Sequence, residues 1–424
     1  MSSEGSLTAT PADRPYLAHL GDRLAAVEPG RAVAVTPYLR EVVDEFRPPD
    51  DEVPAGFRVE LSERGGEAVF DLVRDISRGR DGSPRPTPLI FSVDSANPYE
   101  IAPFADFVGN LTCNPGIVYD LFLNDPAANV DDAFGSLEEV LEEIGRILGP
   151  GADISVELHN PFEPDFAKVL EEVQRYEAIV SKHRLVVKVP HTGPVNADNV
   201  GQLLDGDGRL DRRYDQGRTG DYLRGHNLAL RLHEAGYRVN FTLMFEPHQI
   251  ALALQARPYF INAFVRHRHK ATQTFRGLLA AYETSEDRAF VEQLRSTMIA
   301  GDYLSGADSD ADLLHVLEKA RAFLHDRLPE DGSADGLDGA REALRWLQTV
   351  NLPDTRLIVC SMDGPLNYPD LMAMLTEPEF IGMHDKVVVT AEPAYLARWT
   401  SSPHVVAYQR RFMRAARHVN EPPP

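Results

Sequence analysis

The stretch Arg184-Leu-Val-Val-Lys-Val-Pro-His191 decides how the rest of the chain is read. Leu185, Val186, Val187 and Val189 make a short apolar run, which reads as a buried strand of a parallel sheet. Lys188 interrupts it, and aliphatic neighbours cannot solvate an ammonium in a dry core. Two explanations are open. An ion pair with a buried carboxylate is the ordinary one. A Schiff-base nucleophile is the other, because a desolvated lysine among polar groups can lose its proton and attack a carbonyl.

The whole chain bounds the choice. Its 424 residues allow two or three domains, or one barrel with insertions. With 65 acidic against 43 basic residues and a formal charge of -22, a general nucleic-acid or anionic-membrane surface is excluded, and small molecules fit better as partners. Two cysteines, Cys113 and Cys360, make no disulfide framework and suit a reducing compartment. The N-terminus lacks the charged-then-apolar pattern of a signal peptide, and no apolar run approaches the roughly 18 residues a membrane helix needs, so a cytoplasmic protein is expected.

Outward from Lys188, short apolar strands alternate with helical patterns, which predicts repeated βα units and a parallel sheet. Eight strands are expected: Leu89–Asp94, Asp106–Thr112, Ala152–Leu158, Arg184–Pro190, Tyr237–Leu243, Tyr259–Val265, Thr355–Ser361 and Lys386–Thr390. That is the number of a (β/α)8 TIM barrel. Between them lie helical patterns such as Ser136–Ile147, which opens on a Ser-x-x-Glu capping box, and Asp165–Ser181. Long βα insertions follow strand four, with the Asp- and Arg-rich stretch Asp205–Arg224, and strand six, over Arg266–Asp354. Residues 1–88 are expected to form an N-terminal extension packed on a barrel of residues 89–424. The extension shows one helix over Pro37–Phe46, another around Glu67–Ile76, and a polar connection over Arg78–Pro88.

Side chains alternate along a strand, so each register can be tested by parity. On strand five Tyr237, Val239, Phe241 and Leu243 form the apolar set, leaving Arg238, Asn240 and Thr242 for the interior. The same reading turns Ser92 and Asp94 inward on strand one, Asn110, Thr112 and Asn114 on strand two, Ser155 and Glu157 on strand three, and Asn262 with Phe264 on strand six. Polar or ionisable groups thus gather near the strand C-terminal ends, where barrel enzymes keep their chemistry. Burying several of them around one lysine costs on the order of a kcal/mol or more each unless they satisfy one another or a ligand. Parity points Cys113 and Cys360 away from the interior, as packing residues.

In this order on six successive strands, V-D-S-A-N (93–97), L-T-C-N-P-G (111–116), S-V-E-L (155–158), V-V-K-V-P-H-T (186–192), N-F-T-L-M-F (240–245) and N-A-F-V (262–265) resemble the transaldolase family. The resemblance implies Lys188 as Schiff-base nucleophile and Asp94 as acid/base at the C4 hydroxyl, with Glu157 and Thr242 holding the catalytic water. It also implies that Asn114 and Asn240 hold a dihydroxyacetone unit and that Phe264 walls the pocket; Thr112, Asn262 and Ser361 complete the expected substrate-binding set. The related fructose-6-phosphate aldolases carry glutamine and tyrosine where this chain has Glu157 and Phe264, a pattern closer to the transferase branch. Such chemistry requires a neutral lysine, and a free one titrates at about 10.4, so partial desolvation is expected to lower its pKa.

Two features depart from the family. Its Ser-x-Arg phosphate clamp is replaced by Ser361-Met362-Asp363-Gly364, and an aspartate repels a phosphate dianion. The arginine expected after strand six is displaced into Arg266-His-Arg-His-Lys270. That run, or Arg209, Arg212, Arg213 and Arg218, offers a replacement phosphate site, although basic clusters at such junctions are more often solvated faces. The expected function is therefore transfer of a three-carbon ketol unit between a sugar-type ketose and an aldehyde, on unusual or unphosphorylated substrates. A class I aldolase (lyase) and a sugar-binding pseudoenzyme are the alternatives. No cofactor and no metal are expected: no dinucleotide or phosphate-loop fingerprint occurs, and the His-x-His at 267–269 lacks a third ligand at helical spacing. Assembly as a homo-oligomer is left open.

Overall fold

The computed structural model describes residues 8–54, 57–64, 66–78, 84–149, 152–180, 183–327 and 335–418. Near the N-terminus, β1 (Thr8–Ala9), β2 (Ala32–Val35), β3 (Phe57–Arg64) and β4 (Glu67–Arg74) form a four-stranded sheet in the order β1-β2-β4-β3. Helix α1 (Pro37–Phe46) packs on it through Leu39, Val42 and Val43; Thr36 caps it by accepting from the Leu39 N–H at 3.1 Å, with Pro37 in the first turn.

The expected helix at Glu67–Ile76 is instead β4, antiparallel to β3. Ala68, Phe70 and Leu72 face the sheet's core, yet Val69 and Val73 are also buried, so apolar residues crowd both faces and blur the period of two. Gly66, at φ +88°, belongs to the tight connection between the two strands. The connection over Arg78–Pro88 lies partly outside the described residues.

All eight barrel strands are present: β5 (Ile90–Asp94), β6 (Val108–Cys113), β7 (Asp153–Glu157), β8 (Arg184–Pro190), β9 (Arg238–Thr242), β10 (Phe260–Phe264), β11 (Arg356–Cys360) and β12 (Val387–Ala391). They run parallel and close in the order β10-β11-β12-β5-β6-β7-β8-β9. The seven whose bounds differ from expectation have shifted by one or two residues at an end. Leu185, Val187 and Val189 of β8 face outward into the main apolar core beneath the helices, while Val186 and Lys188 face the barrel axis. Among the helices are α2 (Leu137–Leu148), capped by Ser136, and α3 (Phe166–Ile179), capped by Asp165.

The lower end of the barrel is sealed. Ile76, from just beyond β4, joins Ile90, Val186, Phe260 and Val388 in the interior cluster, and Arg85 donates to the carbonyls of Ile76 (2.7 Å) and Val108 (2.8 Å). Arg58 of β3 reaches Asp354, just before β11, at 3.1 Å. The N-terminal sheet therefore touches the end opposite the strand C-termini.

The insertion after β10 is helical: α4 (Val265–Ser285), α5 (Ala289–Ala300) and α6 (Leu313–His325) share an apolar cluster that includes Phe275, Leu294, Met298 and Val316. Arg209, in the insertion after β8, ties the two excursions together. Its guanidinium donates to the Ala300 carbonyl at 2.7 Å, to Asp302 at 2.6 Å and to the Ile299 carbonyl, satisfying acceptors at the end of α5. The last helix, α7 (Pro403–His418), is exposed along its described length. Among the described residues no helix is long and apolar enough to cross a membrane.

Candidate active site

Strand register sets the site. Glu157, Lys188 and Asn240 are direct partners across β7, β8 and β9, and Asp94 is the partner of Thr112 across β5 and β6. Lys188 Nζ lies 3.2 Å from Glu157 Oε2, and its side chain is only 7% exposed. Thr112 Oγ1 donates to Asp94 Oδ1 at 2.7 Å. On the other side, Thr242 Oγ1 donates to Asn262 Oδ1 (3.0 Å) and Asn262 Nδ2 to Asn240 Oδ1 (2.6 Å). Asn240 Nδ2 is buried and finds no hydrogen-bond partner, so one donor faces this interior unsatisfied. Beneath lies a layer in which Asn110 donates to Ser92 (2.9 Å) and accepts from Ser155 (3.1 Å).

The remaining expected residues stand farther out. Asn114 is half-buried, and its Oδ1 accepts from the Ile117 N–H at 2.9 Å, which starts the turn after β6. Phe264 packs against Phe245 with ring centroids 4.7 Å apart. Ser361 follows β11 with φ +50°, and its carbonyl accepts from the Arg266 N–H at 2.7 Å. Leu243, directly after β9, also holds a positive φ of +61°. Two strand ends at this face therefore carry backbone conformations costly for residues with side chains.

Lys188 departs from expectation. Burial does press its pKa downward, but the charges of Glu157 and Asp94 and the hydrogen bond to Glu157 outweigh that, and the net direction is up. The lysine therefore rests as an ammonium. Desolvation alone does not make it a free amine, and the charged group it contacts is the Glu157 carboxylate.

Cys360 is a second correction. Cys113 packs outward, where burial pushes its thiol up to about 12, but Cys360 belongs to the interior cluster and its Sγ lies 3.9 Å from Asn262 Oδ1. Burial raises its pKa as well, so the thiol stays protonated. Thr390 of β12, in register with Ser92, is also buried, and its hydroxyl has no partner. Parity applied to V-V-V-T-A (387–391) finds it, because it is the one polar position in an apolar run.

The basic clusters are engaged elsewhere. Arg268, only 4% exposed, pairs with Glu246 and Asp338; Lys270 pairs with Asp363; Arg266 lies 3.6 Å from Glu392. Arg268 is thus an internal tie and not part of a solvated face. In the other loop Arg209 holds α5, Arg212 reaches the Gln216 carbonyl at 3.5 Å, Arg213 lies 3.6 Å from Asp215, and Arg218 lies 3.1 Å from Asp221. Each of these cations already has an acceptor within the chain.

A closed eight-stranded parallel barrel with a buried lysine beside a carboxylate at its C-terminal end defines the architecture of a Schiff-base aldolase-type enzyme. Residues 91–291, which carry nearly all of the first six barrel strands and every contact described around Lys188 except that of Cys360, match the family model described as Transaldolase/Fructose-6-phosphate aldolase. Its members are enzymes acting on small sugars by transaldolase- or aldolase-type Schiff-base chemistry. No curated protein matches the chain.

Proposed function

We propose that the protein is a transaldolase-type transferase that moves a dihydroxyacetone unit from a ketose to an aldehyde acceptor, with neither substrate held through a phosphate. The observation that carries the reading is the 3.2 Å contact between Lys188 Nζ and Glu157 Oε2, inside a wall of amides and hydroxyls. Glu157 takes a proton from the ammonium, and the neutral amine attacks the C2 carbonyl of the ketose. The carbinolamine loses its hydroxyl as water when Glu157 returns the proton, with Thr242 orienting that water, which gives the protonated imine.

Asp94 then removes the C4 hydroxyl proton. The C3–C4 bond breaks, its electron pair passes into the imine as an electron sink, and an aldose leaves. The enamine that remains is held by Asn240 and Asn114 until its C3 attacks an incoming aldehyde, whose oxygen recovers the proton from Asp94; hydrolysis of the new imine frees the product. Glu157 and Phe264, at the positions where the related aldolases carry glutamine and tyrosine, favour transfer over release of the enamine to a proton. Asp363 and the intramolecular pairing of the nearby cations support the absence of a phosphate clamp.

Borohydride reduction with unphosphorylated ketoses should add the mass of the reduced three-carbon unit or sugar to Lys188, and Lys188→Met should show no adduct. Product formation should require both donor and acceptor; product from donor alone would establish a lyase. Efficient turnover of sedoheptulose 7-phosphate with glyceraldehyde 3-phosphate would refute the unphosphorylated part of the proposal, and absence of an adduct with any ketose would leave a sugar-binding pseudoenzyme.

A further inference from the structure

We propose that a pocket between the connection after β7 and the helix Arg224–Glu234, which follows β8, binds the phosphate group of a small phosphate ester at a site separate from Lys188. The pocket encloses about 200 Å³. Arg224 and Arg231 line it from one face of the helix, with Asn227 between them. Among the described residues neither guanidinium has a hydrogen-bond or carboxylate partner: Arg224 Nε is buried without one, and Arg231 lies over the ring of Phe166, its guanidinium carbon 3.9 Å from the centroid.

A buried donor without an acceptor is costly, and two like charges facing one small pocket add to that cost. A phosphate relieves both, because its oxygens accept from a guanidinium fork two at a time. Glu163 is the one carboxylate of the lining. Its Oε1 already accepts from the Asp165 N–H at 2.9 Å, and its Oε2 lies 4.0 Å from Lys168 Nζ. The pocket thus keeps a positive balance in a chain whose formal charge is -22. Pro161, Pro164 and Phe166 give it an apolar flank. Its volume is several times the roughly 30 Å³ share of one water, which leaves room on that flank for the carbon part of an ester.

The pocket lies outside the barrel wall. Val169 and Leu228 of its lining belong to the apolar core on the outer face of β7 and β8, with Val156, Leu158, Val187 and Val189, whereas Lys188 faces the axis. The ligand is therefore neither of the substrates that meet Lys188, and the inference stands apart from their identity. The site is nonetheless coupled to the strands. A Cβ on Gly225 would lie 2.2 Å from the Pro190 carbonyl oxygen, so the helix backbone presses directly on the end of β8, two residues beyond Lys188. A phosphate held there braces the segments that follow the strands carrying Glu157 and Lys188.

The test is isothermal titration of the full chain with glycerol 3-phosphate, which has no carbonyl and forms no imine with Lys188, and separately with inorganic phosphate. Glycerol 3-phosphate should bind once per chain with a Kd of about 1 mM or tighter, and the unfolding midpoint should rise with its concentration. Inorganic phosphate should bind more weakly, having nothing to lay on the apolar flank. Arg224→Gln and Arg231→Gln should each weaken binding at least tenfold, and so should Asn227→Asp, which puts a carboxylate on the same wall; all three should keep the wild-type circular dichroism spectrum. Arg175→Gln, at an exposed arginine of α3 outside the pocket, and Lys188→Met should bind as wild type does. Equal affinity for the ester and the free ion would overturn the ester as the ligand. Absence of saturable binding up to about 10 mM, binding indifferent to Arg224 and Arg231, or binding lost in Lys188→Met would overturn the site itself.

Discussion

Strand β8 carries two buried cations four residues apart, each facing a carboxylate on β7, and they behave differently. At the lower end Arg184 grips Asp153 with both arms of its guanidinium, at 3.0 and 2.8 Å, and also reaches Tyr259 Oη at 2.5 Å. Burial opposes the Arg184 charge, but Asp153 and Tyr259 more than offset it and hold its pKa up. At the upper end Lys188 makes one contact to Glu157, which is half-buried. Beside it Asn240 Nδ2 is unsatisfied, and beyond the strand ends Leu243 and Ser361 hold left-handed backbone. A forked, fully satisfied pair fixes a barrel end; a single-contact pair beside an unsatisfied donor leaves polar groups able to take a further partner.

That contrast is open to test. The largest effect is expected from Lys188→Met, which should lower kcat by at least about 10⁴-fold, roughly 5.5 kcal/mol of activation barrier, while unfolding loses only the smaller contribution of a single-contact pair. Arg184→Met should do the opposite. It strands Asp153 as an uncompensated buried charge and should cost about 3–5 kcal/mol in urea unfolding, with kcat per folded molecule retained. Equal losses of stability from both substitutions would erase the distinction between the two ends.

Glu157→Gln comes next, with an expected fall in kcat of about 10²-fold from loss of the proton acceptor. It should also lower the Lys188 pKa, because burial then acts against a less compensated ammonium. The sign for stability follows from the raised folded-state value. The pair's contribution is present throughout the neutral range and is lost only as pH rises through the Lys188 pKa, above the ordinary lysine value of about 10.4. Alkaline unfolding profiles of Glu157→Gln should therefore converge on wild type at high pH. The smallest effect is expected at His191, stacked on Phe241 at 4.2 Å, where burial and then His226 lower the pKa to about 4. The unfolded state takes up its proton first as pH falls, so stability is greatest above about 6.5 and declines towards 4. The advantage of wild type over His191→Asn should shrink across that window.

The site was legible where a strand mixes polar and apolar residues, because the polar set fixes the phase. Strand β9 announces Asn240 and Thr242 in this way, and β7 announces Ser155 and Glu157. In β11, Leu357-Ile-Val-Cys360 is apolar on both faces, so nothing in the run fixes the phase, and Cys360 was expected to face outward. The same ambiguity made β4 resemble a helix. The ionisation of Lys188 was not legible either, because its direction depends on a balance between burial and two carboxylates carried by other strands. Nor were the partners of the basic run, since Arg268 finds Asp338 seventy residues away.

Arg209 has a consequence for engineering. Because its one guanidinium satisfies the end of α5 from the insertion after β8, the two insertions are a single mechanical unit. Transplanting either loop alone into another barrel would bring a cation without its acceptors or a helix terminus without its donor. Functional chimeras are therefore expected only when both segments travel together, and substrate range should be inherited as one block.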